Sequence, residues 1–199
     1  MLDPECFQYH AGFIPSDEAD RCLSRIWKEL AWRQQKIRLF GRWVLQPRLV
    51  AWYGEPEAVY AYSGLELKPN PWHPVLYDLK ERIEAFTGRP FNATLANAYR
   101  DGSDSMGWHS DDEKELGPQP FIASISLGQE RRFLVRIKGQ KSEAIALQHG
   151  SLLIMKGHSQ QNYQHCLTKT RKPAGVRINL TYRMIRGRTD SDRLYRTAG

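Results

Sequence analysis

Residues 97–112 read Asn-Ala-Tyr-Arg-Asp-Gly-Ser-Asp-Ser-Met-Gly-Trp-His-Ser-Asp-Asp, with the triplet His109-Ser110-Asp111 near the end of the stretch. Side chains alternate along an extended backbone, so the imidazole of His109 and the carboxylate of Asp111 are predicted to share one face. One imidazole and one carboxylate on one face supply two of the three protein ligands of a facial iron(II) site. By itself the triplet is a weak signal, because such triplets also arise by chance.

Three later histidines are candidates for the third ligand. His149 falls in a turn before the apolar run 151–155, and His158 falls in the loop after that run. His165 lies inside the strand-like run 163–167. A metal ligand belongs on a rigid element that places it near its partners, which favours His165. A lone histidine in such a run is nevertheless more often structural.

The last strand-like run, residues 177–184, separates polar from apolar side chains. Arginine pairs with carboxylates through two parallel N–H donors, so the two arginines on the polar face can bracket a small dianion. A solvent-facing strand has the same alternation, but two arginines flanking Asn and Thr make that interpretation less favoured. The polar face comprises Arg177, Asn179, Thr181 and Arg183, and the apolar face comprises Ile178, Leu180, Tyr182 and Met184.

Two helices are predicted in the N-terminal half. Residues 16–31 have apolar side chains at helical spacing, with Ser16 as the N-cap and two acidic residues in the first turn. The second helix is expected to start at Pro74, run to about Thr87 and stop at Gly88. Its buried face is predicted to carry Val75, Leu76, Leu79, Ile83 and Phe86.

The remaining pattern is that of short strands. Residues 37–64 predict two or three strands with tight turns, and Phe40-Gly41 is a candidate hairpin tip. An aromatic tip suits insertion into a base stack, although a Phe folded into the core fits equally well. From residue 91 onward every element is expected to be a strand, which indicates a sandwich or jelly roll. The predicted strands are 93–99, 107–112, 121–127, 132–138, 143–147, 151–156, 163–167 and 176–185.

Length and composition limit the class of protein. The chain has 199 residues, which suits one domain or one domain with an extension. No apolar run has the length of a membrane span, and the N-terminus lacks the pattern of a signal peptide. Three cysteines without metal-finger spacing indicate a reducing compartment. The expected location is the cytoplasm, or the nucleus in a eukaryote.

The charge distribution favours a polyanionic partner. The chain has a net charge of +7, and every charged residue between Glu29 and Glu55 is basic. Aromatic residues are interleaved with these basic residues, a pattern typical of nucleic-acid surfaces. A solvated basic face with aromatics in the core fits the composition equally well. The basic residues are Arg33, Lys36, Arg38, Arg42 and Arg48.

These motifs together resemble the iron(II)/2-oxoglutarate dioxygenases of the AlkB type, which act in nucleic-acid repair. The order His109-x-Asp111, His165, then Arg177-x-Asn-x-Thr-x-Arg183 carries the resemblance, which covers about residues 39–185. Several spaced motifs in the right order are far more specific than one triplet. Further similar segments are 40–43, 47–55, Asn97-x-Tyr99, 108–113, 122–128 and 149–155.

The resemblance implies a mainly β fold with flanking helices. Its core would be a double-stranded β-helix, or jelly roll, covered by an N-terminal nucleotide-recognition lid. Residues 1–90 would form the helices and the lid packed on the core, and residues 91–186 would form the dioxygenase core. Residues 187–199 would be a polar tail, within one compact catalytic domain overall.

The resemblance also assigns roles to individual residues. The iron ligands would be His109, Asp111 and His165. The contacts to 2-oxoglutarate would be Asn97, Tyr99, Arg177, Asn179, Thr181 and Arg183, with Arg177 on the distal carboxylate. The contacts to the damaged base or its strand would be Phe40, Arg48, Tyr60, Tyr62, Ser63, Asp112 and Glu113. Phe40 would fill the gap left by a flipped base.

The implied function is oxidative demethylation of N-alkylated bases, such as 1-methyladenine and 3-methylcytosine, with release of formaldehyde. The expected substrate is DNA, with RNA as the second candidate, and the expected oligomeric state is a monomer without membrane contact. Fe(II), 2-oxoglutarate and O2 would be required. The alternatives are a 2-oxoglutarate-dependent hydroxylase of a protein or small molecule, a nucleic-acid-binding module without catalysis, and a jelly-roll metal-binding protein without oxidation. The basic, aromatic N-terminal part argues against the first, and the intact ligand and arginine positions argue against the other two.

Overall fold

A computed structural model describes residues 3–39, 41–62, 65–172 and 174–186. Phe40 and Ser63 lie outside the described residues, as do the side chains of Tyr60 and Tyr62 and the tail 187–199. The strands are β1 Phe7–His10, β2 Lys36–Leu39, β3 Arg42–Leu45, β4 Leu49–Gly54, β5 Tyr60–Tyr62, β6 Leu65–Leu67, β7 Ala93–Tyr99, β8 Met106–His109, β9 Ile122–Gly128, β10 Arg131–Ile137, β11 Glu143–Leu147, β12 Ser151–Met155, β13 Tyr163–Leu167 and β14 Arg177–Arg183. The helices are α1 Ser16–Glu29, α2 Pro74–Thr87 and α3 Ser159–Asn162, and a short 3-10 helix spans Lys114–Leu116.

Two antiparallel sheets form the core. The larger sheet has the strand order β1-β12-β9-β14-β7-β4, and the smaller sheet has the order β11-β10-β13-β8. Most neighbouring strands are distant in sequence, as in a jelly roll. β1 and β4 of the larger sheet come from the first 90 residues, and the hairpins β2–β3 and β5–β6 form two further small sheets. The predicted boundary at residue 90 remains a prediction.

The larger sheet separates an apolar layer from a polar cavity, because side chains alternate along each strand. On β14, Ile178, Leu180 and Tyr182 pack in the same core cluster as residues of α1 and α2. A second apolar cluster lies between the two sheets and includes Val135 and Leu153. The polar residues of β14 face this inter-sheet side and line a cavity there. The predicted faces of the final strand are therefore confirmed.

The predicted helices are largely confirmed: α1 ends at Glu29 instead of residue 31, and two further details differ. α2 spans Pro74–Thr87 and ends at Gly88, whose φ of 65° is the left-handed cap conformation. α1 starts at Ser16 but is capped by Pro15 without a side-chain hydrogen bond, so the predicted cap was wrong. Phe86 is 51% exposed, so it does not belong to the buried face of α2 as predicted. Met184, predicted on the apolar face of the last strand, follows the end of β14 and is 37% exposed.

The region between the two helices contains more strands than the two or three predicted. β2 pairs with β3 so that Leu39 lies opposite Arg42, and the predicted tip residue Phe40 between them lies outside the described residues. Gly41 has a φ of 80°, a left-handed conformation that glycine adopts without steric cost. α3 and the 3-10 helix also interrupt the C-terminal part, which was expected to contain strands alone. Within the described residues, no helix is long and apolar enough to cross a bilayer.

Candidate active site

The three predicted iron ligands lie together between the sheets. His109 is the last residue of β8, and His165 on β13 is its direct cross-strand partner. The donor atoms of His109, Asp111 and His165 all lie within 4.8 Å of one another. His109 Nε2 is 3.7 Å from Asp111 Oδ1. Two imidazoles and one carboxylate on one side of a site are the donor set of a facial Fe(II) centre, so these residues fit the metal.

The position of Asp111 depends on contacts that the sequence did not predict. β8 ends at His109, so the two residues do not share a continuous strand face as expected. Contacts from distant elements place the carboxylate instead. The backbone N–H of Asp111 donates to Gln160 Oε1 at 2.9 Å, and Arg183 Nη2 donates to Asp111 Oδ2 at 2.9 Å.

Contacts around the two imidazoles fix their orientation. His109 Nδ1 lies 2.9 Å from the backbone oxygen of Gly107, which assigns the ring proton to Nδ1 and leaves Nε2 for a metal. The ring centroids of His109 and His165 are 4.2 Å apart. The ring of Phe133 stacks on that of His165 with a centroid distance of 5.1 Å. The imidazole pair is therefore held rigidly.

The protonation states of the triad suit metal binding. Burial and, to a smaller extent, the neighbouring His109 lower the pKa of His165 to about 3. Burial alone would raise the pKa of Asp111, but Arg183 and the two imidazoles outweigh this effect and lower it. At neutral pH His165 is neutral and Asp111 is ionised. These are the protonation states that metal ligands must have.

The triad opens into a cavity of about 120 Å³. The residues that the sequence assigned to 2-oxoglutarate all line this cavity: Asn97, Tyr99, Arg177, Asn179, Thr181 and Arg183. Arg48 and Glu113, two of the predicted substrate contacts, also line it. The structure thus brings the predicted metal ligands, the predicted 2-oxoglutarate contacts and two of the seven predicted substrate contacts to one place.

Arg177 is the best candidate for a carboxylate-binding residue. It is 2% exposed, and its Nη2 donates to Ser126 Oγ at 2.9 Å. The guanidinium carbon lies 5.5 Å from the centre of the Tyr99 ring. Burial lowers the pKa of Arg177 to about 10, so the group remains cationic at neutral pH. Within the part of the chain that is described, no carboxylate forms an ion pair with Arg177.

A network of amides and hydroxyls supports the cavity wall. Arg48 Nε donates to Asn97 Oδ1 at 2.9 Å, which joins a predicted substrate contact to a predicted co-substrate contact. Thr181 Oγ1 donates to Asn179 Oδ1 at 3.0 Å, and Asn179 Nδ2 donates to Ser124 Oγ at 2.7 Å. The side chains of Asn179 and Thr181 are therefore hydrogen-bonded within the protein. Their expected role is to support the cavity wall.

The other histidines lie away from the triad. His149 Nδ1 accepts a hydrogen bond from the backbone N–H of Gly128 at 2.8 Å, and its Nε2 lies 3.2 Å from Asp20 Oδ1. His158 Nδ1 lies 2.7 Å from Gln161 Oε1. Asp112, a predicted substrate contact, is exposed and is not part of the described cavity lining.

Sequence reasoning did not single out several residues of the cavity. Ser124 lines it, and Ser126 holds Arg177. Both serines alternate with apolar residues in the run 122–128, and that alternation is a signal that could have identified them. Gln46 also lines the cavity, and no pattern in the sequence indicates it.

Comparisons with known proteins agree with the geometry. Residues 7–183 match the family model of the 2OG-Fe(II) oxygenase superfamily. The human alpha-ketoglutarate-dependent dioxygenase alkB homolog 3 is 43% identical over 187 residues, which cover 88% of this chain and 65% of the relative. The human DNA oxidative demethylase ALKBH2 is 37% identical over 180 residues, which cover 84% of this chain and 69% of the relative. The chain thus spans just under two thirds of the first relative.

Solved structures confirm the predicted jelly-roll fold. The structure of OsALKBH1 has a TM-score of 0.61 at 18% identity and covers 92% of this chain and 100% of its own. An oxidoreductase of the 2OG-Fe(II) oxygenase family from Burkholderia pseudomallei has a TM-score of 0.60 at 15% identity, covering 92% of this chain and 89% of its own.

The family match and the His-Asp-His group together imply Fe(II) as the metal and 2-oxoglutarate and O2 as the co-substrates. The chain therefore belongs to the 2OG-Fe(II) oxygenase superfamily and, within it, to the AlkB-type dioxygenases.

Proposed function

We propose that this chain oxidatively demethylates N-alkylated bases, such as 1-methyladenine and 3-methylcytosine, in DNA, with RNA as a second substrate and with release of formaldehyde. One observation carries the proposal: the His109–Asp111–His165 triad and the buried cation Arg177 line the same cavity. The names of two relatives, a dioxygenase and a DNA oxidative demethylase, support the reaction and the substrate class.

The roles follow from the chemistry of each side chain. His109, Asp111 and His165 hold Fe(II), which, with 2-oxoglutarate and O2, supplies the oxidation of an unreactive C–H bond. Arg177 binds the distal carboxylate of 2-oxoglutarate, because a buried guanidinium without a carboxylate partner favours a bound anion. Arg183 acts at the metal end through its contact with Asp111. Tyr99 and Asn97 complete the wall around the co-substrate.

Apolar side chains restrict water around the triad. Phe133 stacks on His165, and Met155 and Leu147, each at most 2% exposed, line the same cavity. Removing water from the site strengthens the electrostatic contacts of Arg177 and limits side reactions. A target base has to leave the stack to reach the triad. A methylated base flips at lower cost because its pairing is already lost.

The β2–β3 hairpin is suited to contact the nucleic acid. Trp43 is 66% exposed on β3, next to the exposed Arg42. An exposed aromatic ring beside cations is typical of surfaces that stack bases and contact phosphates. In this proposal the hairpin belongs to the lid formed by residues 1–90, and the chain acts as a monomer.

Formaldehyde release tests the function directly. Oligonucleotides that carry 1-methyladenine or 3-methylcytosine, on deoxyribose or ribose, are incubated with the protein, Fe(II) and 2-oxoglutarate. We expect formaldehyde from the methylated strands and none from unmethylated strands or from the His165→Ala variant. Turnover of 2-oxoglutarate with a peptide, without formaldehyde from any oligonucleotide, would instead identify a protein hydroxylase.

A further inference from the structure

The side-chain amide of Gln46 is buried at the cavity that contains the metal triad. The residue follows β3 at the root of the β2–β3 hairpin and is 1% exposed. Both Nε2 and Oε1 are buried, and neither has a hydrogen-bond partner among the residues that the structure describes. The side chain lines the cavity that contains the metal triad.

Two other amides near the metal triad have protein partners: Asn179, which is half-buried and lines the cavity, and the buried Gln160, which holds Asp111. Asn179 donates to Ser124 Oγ and accepts from Thr181 Oγ1. Gln160 accepts from the backbone N–H of Asp111 and donates to Ser159 Oγ. An unpaired buried amide destabilises the folded protein, because the group loses its hydrogen bonds to water and gains none in return. An apolar side chain of similar size would avoid this cost, so folding alone gives no reason for a glutamine at position 46.

The backbone holds Gln46 in a fixed position. Its N–H donates to the backbone oxygen of Gln35 at 2.8 Å, and its oxygen accepts from Arg48 N at 2.9 Å. Gln34 Nε2 donates to the same oxygen at 2.9 Å. A recognition group supported by a rigid backbone discriminates between ligands better than a mobile group. The amide therefore has the properties of a group prepared for a ligand.

We propose that Gln46 reads the Hoogsteen edge of a methylated adenine held in the cavity, an inference that rests on the proposed demethylase function. Adenine presents an N6 amino donor beside the N7 acceptor, and a carboxamide pairs with both atoms at once. Methylation at N1 leaves both groups free. 3-Methylcytosine has an amino donor next to a C–H, so it offers one hydrogen bond instead of two. Gln46 thus makes methylated adenine the preferred base.

A substrate that lacks only N7 tests the contact. The kcat/KM is measured on matched single strands containing 1-methyladenine, 1-methyl-7-deazaadenine or 3-methylcytosine. We expect the unmodified protein to lose at least about fivefold when N7 is removed, since a bidentate contact contributes roughly 1–3 kcal/mol of discrimination. Gln46→Leu should lose activity on 1-methyladenine and should treat the 7-deaza base like the natural one. Gln8→Leu, an exposed glutamine on β1, is the matched control and should behave like the unmodified protein.

Thermal unfolding of the metal-free protein gives a readout that is independent of turnover. Because Gln46→Leu removes an unpaired buried amide, its unfolding midpoint should equal or exceed that of the unmodified protein. A lower midpoint would assign Gln46 a structural role and overturn the proposal. An equal N7 effect in Gln46→Leu and in the unmodified protein would also overturn it while leaving the demethylase function intact. Absence of turnover of every methylated strand by the unmodified protein would reject the proposed function and this inference together.

Discussion

Arg183 Nη2 donates to Asp111 Oδ2 at 2.9 Å, and both side chains are buried. The sequence assigned Arg183 to 2-oxoglutarate, and the structure adds a contact with a candidate metal ligand. The guanidinium helps to keep the carboxylate ionised, since it lowers the pKa of Asp111 against the effect of burial. It also fixes the direction of one carboxylate oxygen. Arg183 therefore connects the metal centre to the strand that carries Arg177.

We expect Arg183→Ala to weaken metal binding by about 10- to 100-fold, the usual cost of removing a residue that orients a ligand. Titration with Mn(II) in the absence of O2 measures the affinity without turnover. Arg132→Ala on β10 changes an exposed arginine and should leave the affinity unchanged. Unchanged metal affinity in Arg183→Ala would restrict this residue to a role in co-substrate binding.

The histidine variants test the composition of the triad. His165→Ala should lose bound Fe(II), because three protein ligands hold the ion and His165 is one of the two imidazoles. His158→Ala should retain it, since His158 contacts Gln161 away from the triad. Iron analysis of the purified variants decides the assignment. Full iron content in His165→Ala, with loss in His158→Ala, would refute it.

Arg177→Ala should raise the 2-oxoglutarate requirement strongly and leave the metal bound. Loss of one partner of a buried, hydrogen-bonded charge pair costs about 2–5 kcal/mol of binding free energy. The co-substrate dependence of turnover and Mn(II) titration measure the two effects separately. A variant with normal co-substrate affinity would place the carboxylate-binding residue elsewhere in the cavity.

Local signals in the sequence predicted some elements closely. α2 begins at Pro74 and ends before Gly88, because proline is tolerated in the first turn and glycine adopts the left-handed cap. The polar and apolar faces of β14 followed from the period-two alternation of a strand. His165 was selected because it lies on a strand, and its cross-strand contact with His109 agrees with that choice.

Non-local contacts determine the features that the sequence did not predict. Asp111 lies beyond the end of β8, and Gln160, 49 residues later, helps to hold its backbone. Gln46 belongs to no periodic pattern or motif. The sequence therefore gives no sign that its unpaired amide lies at the cavity. Such contacts depend on how the sheets pack, which no local pattern records.

An ion pair between the exposed Arg100 and the buried Asp104 stabilises the loop that connects β7 to β8. Asp104 is 2% exposed and accepts hydrogen bonds from the backbone N–H, Nε and Nη2 of Arg100 at 2.8 to 2.9 Å. Burial alone would raise the pKa of Asp104, but the contacts with Arg100 lower it overall. A carboxyl with a lowered pKa in the folded state stabilises the protein above its unfolded pKa. This contribution is lost as the pH falls through the folded value.

We therefore expect Asp104→Asn to lower the free energy of unfolding by about 1–3 kcal/mol at neutral pH. The difference from the unmodified protein should shrink below roughly pH 4, where an unfolded aspartate becomes protonated. Urea unfolding over this pH range measures it. Asp101→Asn alters a nearby exposed carboxylate and should have a small effect. An equal loss for both variants would contradict the role of the ion pair between Arg100 and Asp104.

Variants of the β2–β3 hairpin distinguish insertion of the Phe40 ring into the base stack from phosphate binding by arginine. If Phe40 fills the gap left by a flipped base, it matters only where a partner strand stacks around that gap. Phe40→Ala should then slow demethylation of duplex substrates more than that of single strands. Equal losses on the two substrates would reject the tip role and favour a packing role for that ring.

Arg42, exposed on β3, should act on every sequence alike, because phosphate contacts carry no sequence information. Arg42→Ala should weaken binding to methylated and unmethylated strands by the same factor. Each lost phosphate contact removes one released counterion, so the slope of log affinity against log salt should flatten by about 0.7–0.9. Fluorescence anisotropy at several salt concentrations measures this slope. Arg132→Ala, an exposed arginine outside the hairpin, controls for net charge, and the same flattening in that variant would exclude a specific contact at Arg42.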